Sequence, residues 1–138
     1  MRYQDVGGRI PHQTALAELI DDDSVHRDVT LMRRVMDALF IDYQVLFPGN
    51  LLQLGMHPQP RVEVELAFAY NRLLIKRIIP AEDRLKTLLY LPFFEPEECE
   101  RMVEEFGDNP DVLGFIVTSV RYKSVCHDSY MRLYAMLV

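Results

Sequence analysis

The sequence has little cysteine, no long apolar run and no surplus of positive charge, and each shortage removes a class of function. Its two cysteines, Cys99 and Cys126, form no Cys-x-x-Cys motif and allow one bridge at most. With no signal peptide ahead of them, they read as reduced thiols of a cytoplasmic protein. No apolar stretch approaches the roughly 18 residues that a membrane span needs, so no membrane partner is expected. The net charge is −6 and the basic residues are scattered. Nucleic-acid affinity rests on clustered Lys and Arg, so no nucleic-acid partner is expected either.

The usual metal and nucleotide motifs are missing too. The histidines, His12, His26, His57 and His127, show no His-x-His, His-x3-His or His-Glu-x-x-His spacing. A metal site would have to be assembled in space from distant residues. Gly7-Gly8 lacks the strand–GxGxxG–helix setting of a dinucleotide site and reads as a turn.

What is present is an alternation of helices and short apolar strands. A chain of 138 residues is long enough for one domain that buries about two-thirds of its unfolded surface. Residues 1–23 read as an irregular arm, with a short helix expected over 12–20. Asp21-Asp22-Asp23 suits a helix N-terminus capped by Ser24 better than a metal cluster, which would interleave other ligands. A helix over Val25–Leu39 is predicted from Val25, Val29, Met32, Val35/Met36 and Leu39; His26 falls on its solvated face. Strands are expected over Ile41–Phe47, Leu85–Pro92 and Val112–Thr118, each followed by a loop and a helical pattern. That is the grammar of a parallel α/β sheet.

The helix over Val62–Ile79 is expected to bury Val62, Leu66, Ala69/Tyr70, Leu73/Leu74 and Ile78. Asn71 sits in its middle, where its helix propensity is poor, and Pro80 ends it. The next helix opens at Pro96, turns Cys99, Met102, Val103 and Phe106 inward and stops at Gly107. Gly114, inside the third strand, marks a bulge or a close backbone approach. A last helix, capped by Asp128 or Ser129, contains Met131, Tyr134, Met136 and Leu137. It runs to Val138 without a breaker, as a truncation would.

Candidate site residues lie where strands end, the side on which parallel α/β proteins carry their sites. His57 stands in the long loop after the first strand, and Thr118, Ser119 and Arg121 follow the third. Arg121 could hold a substrate carboxylate bidentately, whereas the hydroxyls could equally cap backbone groups. Cys126-His127 could supply a nucleophile or two ligands, but neighbours in an extended loop point apart.

The succession Phe47-Pro48, Tyr70-Asn71-Arg72, Asp83-Arg84-Leu85, Leu91-Pro92, Glu95-Pro96-Glu97 and Gly114-Phe115 resembles the amidohydrolase-related family of metal-dependent hydrolases. Within it, the aminocarboxymuconate-semialdehyde decarboxylase-like branch is the most similar. The resemblance covers about two-thirds of the chain, from Asp42 onward. It implies an α/β fold, a partial TIM-like (β/α) barrel with about three parallel strands alternating with helices. Residues 1–138 would then be a single incomplete segment of a barrel that needs roughly 250 residues when complete.

It further implies a hydrolase or carboxy-lyase acting on a small organic acid or amide. The complete family uses a divalent metal, with zinc the expected one. The family's metal ligands have no counterpart here, so this chain alone is expected to hold no metal and to be inactive. No catalytic residue is assigned; His57, Thr118, Ser119 and Arg121 are the substrate-binding candidates. The alternative is a non-catalytic interaction module that forms homo-oligomers through the exposed edges of its sheet.

Overall fold

The computed structural model describes Ile20, residues 23–118 and residues 123–138. The chain divides into two compact units, Met1–Asp42 and Tyr43–Val138. Most of the expected arm, and the helix expected over 12–20, lie outside the described residues.

In the first unit, helix α1 spans Arg27–Leu39 and buries Val29 and Met36, two of the positions that its periodicity marks. Its cap differs from expectation. His26, not Ser24, is the N-cap, and its Nδ1 accepts the Asp28 N–H at 3.3 Å. The helix ends where Phe40 turns into the left-handed region at φ 55°, returning the N–H groups of Phe40 and Ile41 to the Met36 carbonyl. A left-handed residue closing the last turn is an ordinary helix stop, although glycine usually fills it.

The second unit contains strand β1 (Gln44–Leu46), helix α2 (Pro60–Leu73), strand β2 (Leu85–Tyr90), helix α3 (Pro96–Phe106), strand β3 (Val112–Ile116) and helix α4 (Met131–Met136). The strands form a parallel sheet in the order β1-β2-β3, with a helix in each crossover. β1 is shorter than its apolar run suggests. Register pairs Gln44 with Leu85 and Leu46 with Thr87, then Leu88 with Gly114 and Tyr90 with Ile116. Thr87 pairs with Val112, so Leu113 is the extra residue of a bulge. Gly114 follows it at φ 152°, a conformation that residues with a Cβ rarely adopt, which accounts for the glycine there.

A backbone shortfall fixes the rotation of α2. Thr87 and Leu91 donate to Asp111 and Ile116 on the β3 side, and Gln44 takes the Arg84 carbonyl on the β1 side. By that alternation Tyr90 points both its N–H and its carbonyl toward β1, which has already ended at Leu46. The Asn71 amide takes the vacant ladder place: Oδ1 accepts the Tyr90 N–H at 3.2 Å, and Nδ2 donates to the Tyr90 carbonyl at 2.9 Å. Asn71 and Tyr90 are both fully buried. A poor helix former is therefore held mid-helix by two strand hydrogen bonds.

The inward stripe of α2 follows from this anchor. Glu63, Ala67, Phe68 and Asn71 are buried, and so are Leu74 and Ile78 in the wide π turn that continues the helix. Leu66 and Leu73, expected inside, are 47% and 40% exposed. Polar anchoring at Asn71 and Glu63 overrides the apolar period. In α3, Cys99, Met102 and Phe106 are buried as their spacing predicts. Tyr130 and Leu133 are the buried residues at the C-terminal end, where Met131 and Leu137 remain exposed.

Replacing Asn71 by Leu strands a buried N–H and a buried carbonyl, and is expected to lower stability by roughly 3 kcal/mol. Leu66→Gln on the same helix should change it by no more than about 0.5 kcal/mol. Urea denaturation of both variants measures the contrast.

Candidate functional site

Parallel strands carry their C-terminal ends to one side of the sheet, and the first turns of α2 and α3 open there. A cleft of about 340 Å³ lies at these helix starts, lined by Arg61, Val64, Glu65, Glu95, Glu97 and Glu98. Helix N-termini favour carboxylates, which accounts for acidic residues in both first turns. Two of these carboxylates have basic partners: Glu65 stands 3.7 Å from Arg61, and Glu98 stands 2.6 Å from Arg101.

Beneath the helix start, Glu63 is only 2% exposed, and the Tyr90 hydroxyl donates to its carboxylate at 2.7 Å. Tyr90 thus joins α2 through its ring hydroxyl and its backbone at once. Asn71 Nδ2 also lies 2.7 Å from the Met102 sulfur on α3. This buried group links both helices to the end of β2. Its geometry is that of a support: each polar atom named is directed at another part of the fold. Asn71 stood out in the sequence as a misplaced helix residue. Glu63 carried no signal, because an acidic residue in a first helical turn needs no tertiary partner.

The sequence-predicted residues are not gathered into one constellation. His57 Nδ1 lies 3.1 Å from the Gln59 backbone nitrogen, whose N–H it accepts. Thr118 is buried beyond the end of β3 and is engaged by a partner. His57 and Thr118 make no hydrogen bond to each other among the described residues. Ser119 and Arg121 lie outside the described residues. Cys126 is an exposed free thiol whose backbone N–H donates to Ser124 Oγ. His127 accepts the Ser129 N–H through Nδ1, so the adjacent Cys126 and His127 form no pair. Among the described residues, no group of three His, Cys, Asp or Glu side chains could hold a metal ion. No helix among them is long and apolar enough to cross a membrane.

Four side chains among the described residues have shifted protonation equilibria. Arg72, in the last turn of α2, makes two 2.8 Å hydrogen bonds to Glu105 near the end of α3. They hold the Glu105 carboxyl below its usual range and raise the guanidinium above its own. At the start of β2, the hydrogen bond from Lys86 to Asp111 raises the ammonium. Burial pushes the Tyr70 phenol up. Arg72–Glu105 ties α2 to α3, and Lys86–Asp111 ties the start of β2 to the turn before β3. No protein-family model, curated protein or solved structure matches the chain.

Because Glu105 has a lowered folded-state pKa, its pairing contributes stability above the ordinary carboxylate range. That contribution is lost as pH falls through the folded value. The melting temperature of Glu105→Gln should lie slightly below that of the native chain at pH 7, by the small amount expected of an exposed pair. The two should converge in thermal melts as the pH is lowered through the folded-state value of Glu105.

Proposed function

We propose that this chain is a segment of a (β/α)-barrel enzyme of the amidohydrolase-related kind. In this reading it supplies three strand–helix units to the wall and mouth of a pocket for a small organic acid or amide. The observation that carries the reading is the winding: parallel strands whose spatial order equals their chain order, each followed by a helix, as in a barrel wall. The motif order supports it, since Tyr70-Asn71 and Leu91-Pro92 flank the point where a helix amide completes the end of β2. The coarse α/β architecture stands independently of this reading.

Among the described residues, no group of three His, Cys, Asp or Glu side chains is placed to hold the family's divalent metal. His57 and His127 both spend Nδ1 on backbone N–H groups. What this segment contributes is positioning. In this reading Arg121 grips a substrate carboxylate bidentately. The free thiols Cys99 and Cys126 fit a cytoplasmic setting.

A second reading, a module that self-associates through its sheet, is favoured by the outer strands. Among the described residues β1 and β3 pair on one side only, and Val45 and Leu113 are 38% and 57% exposed.

An NMR titration of the purified chain with a small dicarboxylate, together with sedimentation, discriminates the two. The enzyme-segment reading expects saturable amide shifts at Thr118, Ser119 and Arg121 and near His57, weakened at least about tenfold by Arg121→Gln. Absence of shifts at those positions overturns it. Sedimentation that shows a concentration-dependent oligomer, dispersed by Leu113→Lys, supports the second reading.

A further inference from the structure

Three histidines in unrelated parts of the chain share one local geometry. His26, His57 and His127 have φ/ψ values of −59/135°, −65/133° and −69/139°. Each accepts, through Nδ1, the backbone N–H of the residue two positions on: Asp28 at 3.3 Å, Gln59 at 3.1 Å and Ser129 at 3.2 Å. His26 and His127 are N-caps, and His57, which closes the Leu54–Met56 turn, bonds the N–H of Gln59, the N-cap of α2. This is the turn that Asn, Asp and Ser side chains form with their oxygens. Here a titratable ring does it instead, at every histidine among the described residues.

Each site also offers the same Nδ1 an acceptor for a proton. The Asp28 carboxylate lies 3.9 Å from His26 Nδ1, the Gln59 carbonyl 3.2 Å from His57 Nδ1, and Ser129 Oγ 2.9 Å from His127 Nδ1. An imidazole that takes up its second proton carries N–H on both ring nitrogens and can no longer accept.

We infer that His26, His57 and His127 are two-position latches at helix entrances. In the neutral ring Nδ1 accepts the backbone N–H of residue i+2. In the charged ring that N–H is released, and Nδ1–H donates to an oxygen of the same residue: the Asp28 carboxylate, the Gln59 carbonyl or the Ser129 hydroxyl. Acidification thereby loosens the entrances to α1, α2 and the turn before α4 without removing the side chains from place.

The charged surroundings differ at the three latches. His26 has Arg27 and Asp28 beside it, and those two are themselves 3.7 Å apart. His127 stands next to Asp128 and edge-on to the Tyr130 ring at 6.4 Å, over which the Lys123 ammonium lies at 5.6 Å. No charged side chain among the described residues pairs with His57.

Two measurements on the full chain test this. Ring nitrogen NMR at pH 8 should show Nδ1 unprotonated and Nε2 protonated in all three histidines. A mixture of tautomers like that of free histidine overturns the latch. Amide hydrogen exchange, corrected for intrinsic rates, should show protection at Asp28, Gln59 and Ser129 falling about fivefold between pH 8 and pH 5, the factor lost with a typical cap. The single variants His26→Asn, His57→Asn and His127→Asn keep an acceptor that does not titrate. Each should lose the pH dependence at its own i+2 amide while the other two amides retain it. An equal loss of protection in the Asn variants, or none in the native chain, rejects the proposal.

Discussion

The hydrogen bonds between Asn71 and Tyr90 are the constraint on which much of the second unit depends. β2 is longer than β1, so its last residue presents an N–H and a carbonyl to a neighbour that has ended. Buried backbone groups of that kind are each costly to leave unpaired. One side-chain amide has the donor and acceptor needed to replace a missing strand residue. Supplying it from α2 fixes that helix's rotation, brings Glu63 to the Tyr90 hydroxyl and places Met102 of α3 against the same amide. Leu66 and Leu73 are left outside as a consequence, although an apolar-period argument puts them in the core.

The parts of the fold legible in the sequence are those governed by local rules. Three apolar runs set between helical patterns located the strands, Pro80, Pro96 and Gly107 located helix ends, and Gly114 located the bulge. The parts that were not legible rest on long-range polar pairing. Asn71 lies 19 residues from the Tyr90 groups that it completes, and nothing in its neighbourhood marks the partner. The N-cap of α1 was misplaced for a local reason: Ser24 is the stronger capper by propensity, but a histidine in extended backbone can reach the same amide position. Of the candidate site residues, Thr118 and His57 do lie beyond strand ends, Thr118 buried and His57 bonded through Nδ1 to Gln59.

Charge pairs and the Asn71 anchor join different elements. Arg72–Glu105 ties α2 to α3 one residue from Asn71, while Lys86–Asp111 ties the start of β2 to the turn before β3. The acidic cleft lies at the starts of α2 and α3, on the side of the sheet where the strands end.

The sequential winding also carries a consequence for the order of assembly. Leu46 and Thr87, which meet across β1 and β2, are 41 residues apart, whereas Lys86 and Asp111 across β2 and β3 are 25 apart. Loop-closure entropy separates these by less than the 0.6 kcal/mol or so of one doubling in length, too little to order the steps alone. The larger number of register pairs decides it: β2 makes four with β3 and three with β1. Both the shorter loop and the extra pair favour closing β2 on β3 over closing it on β1, and Asn71 supplies from α2 what β1 is too short to give.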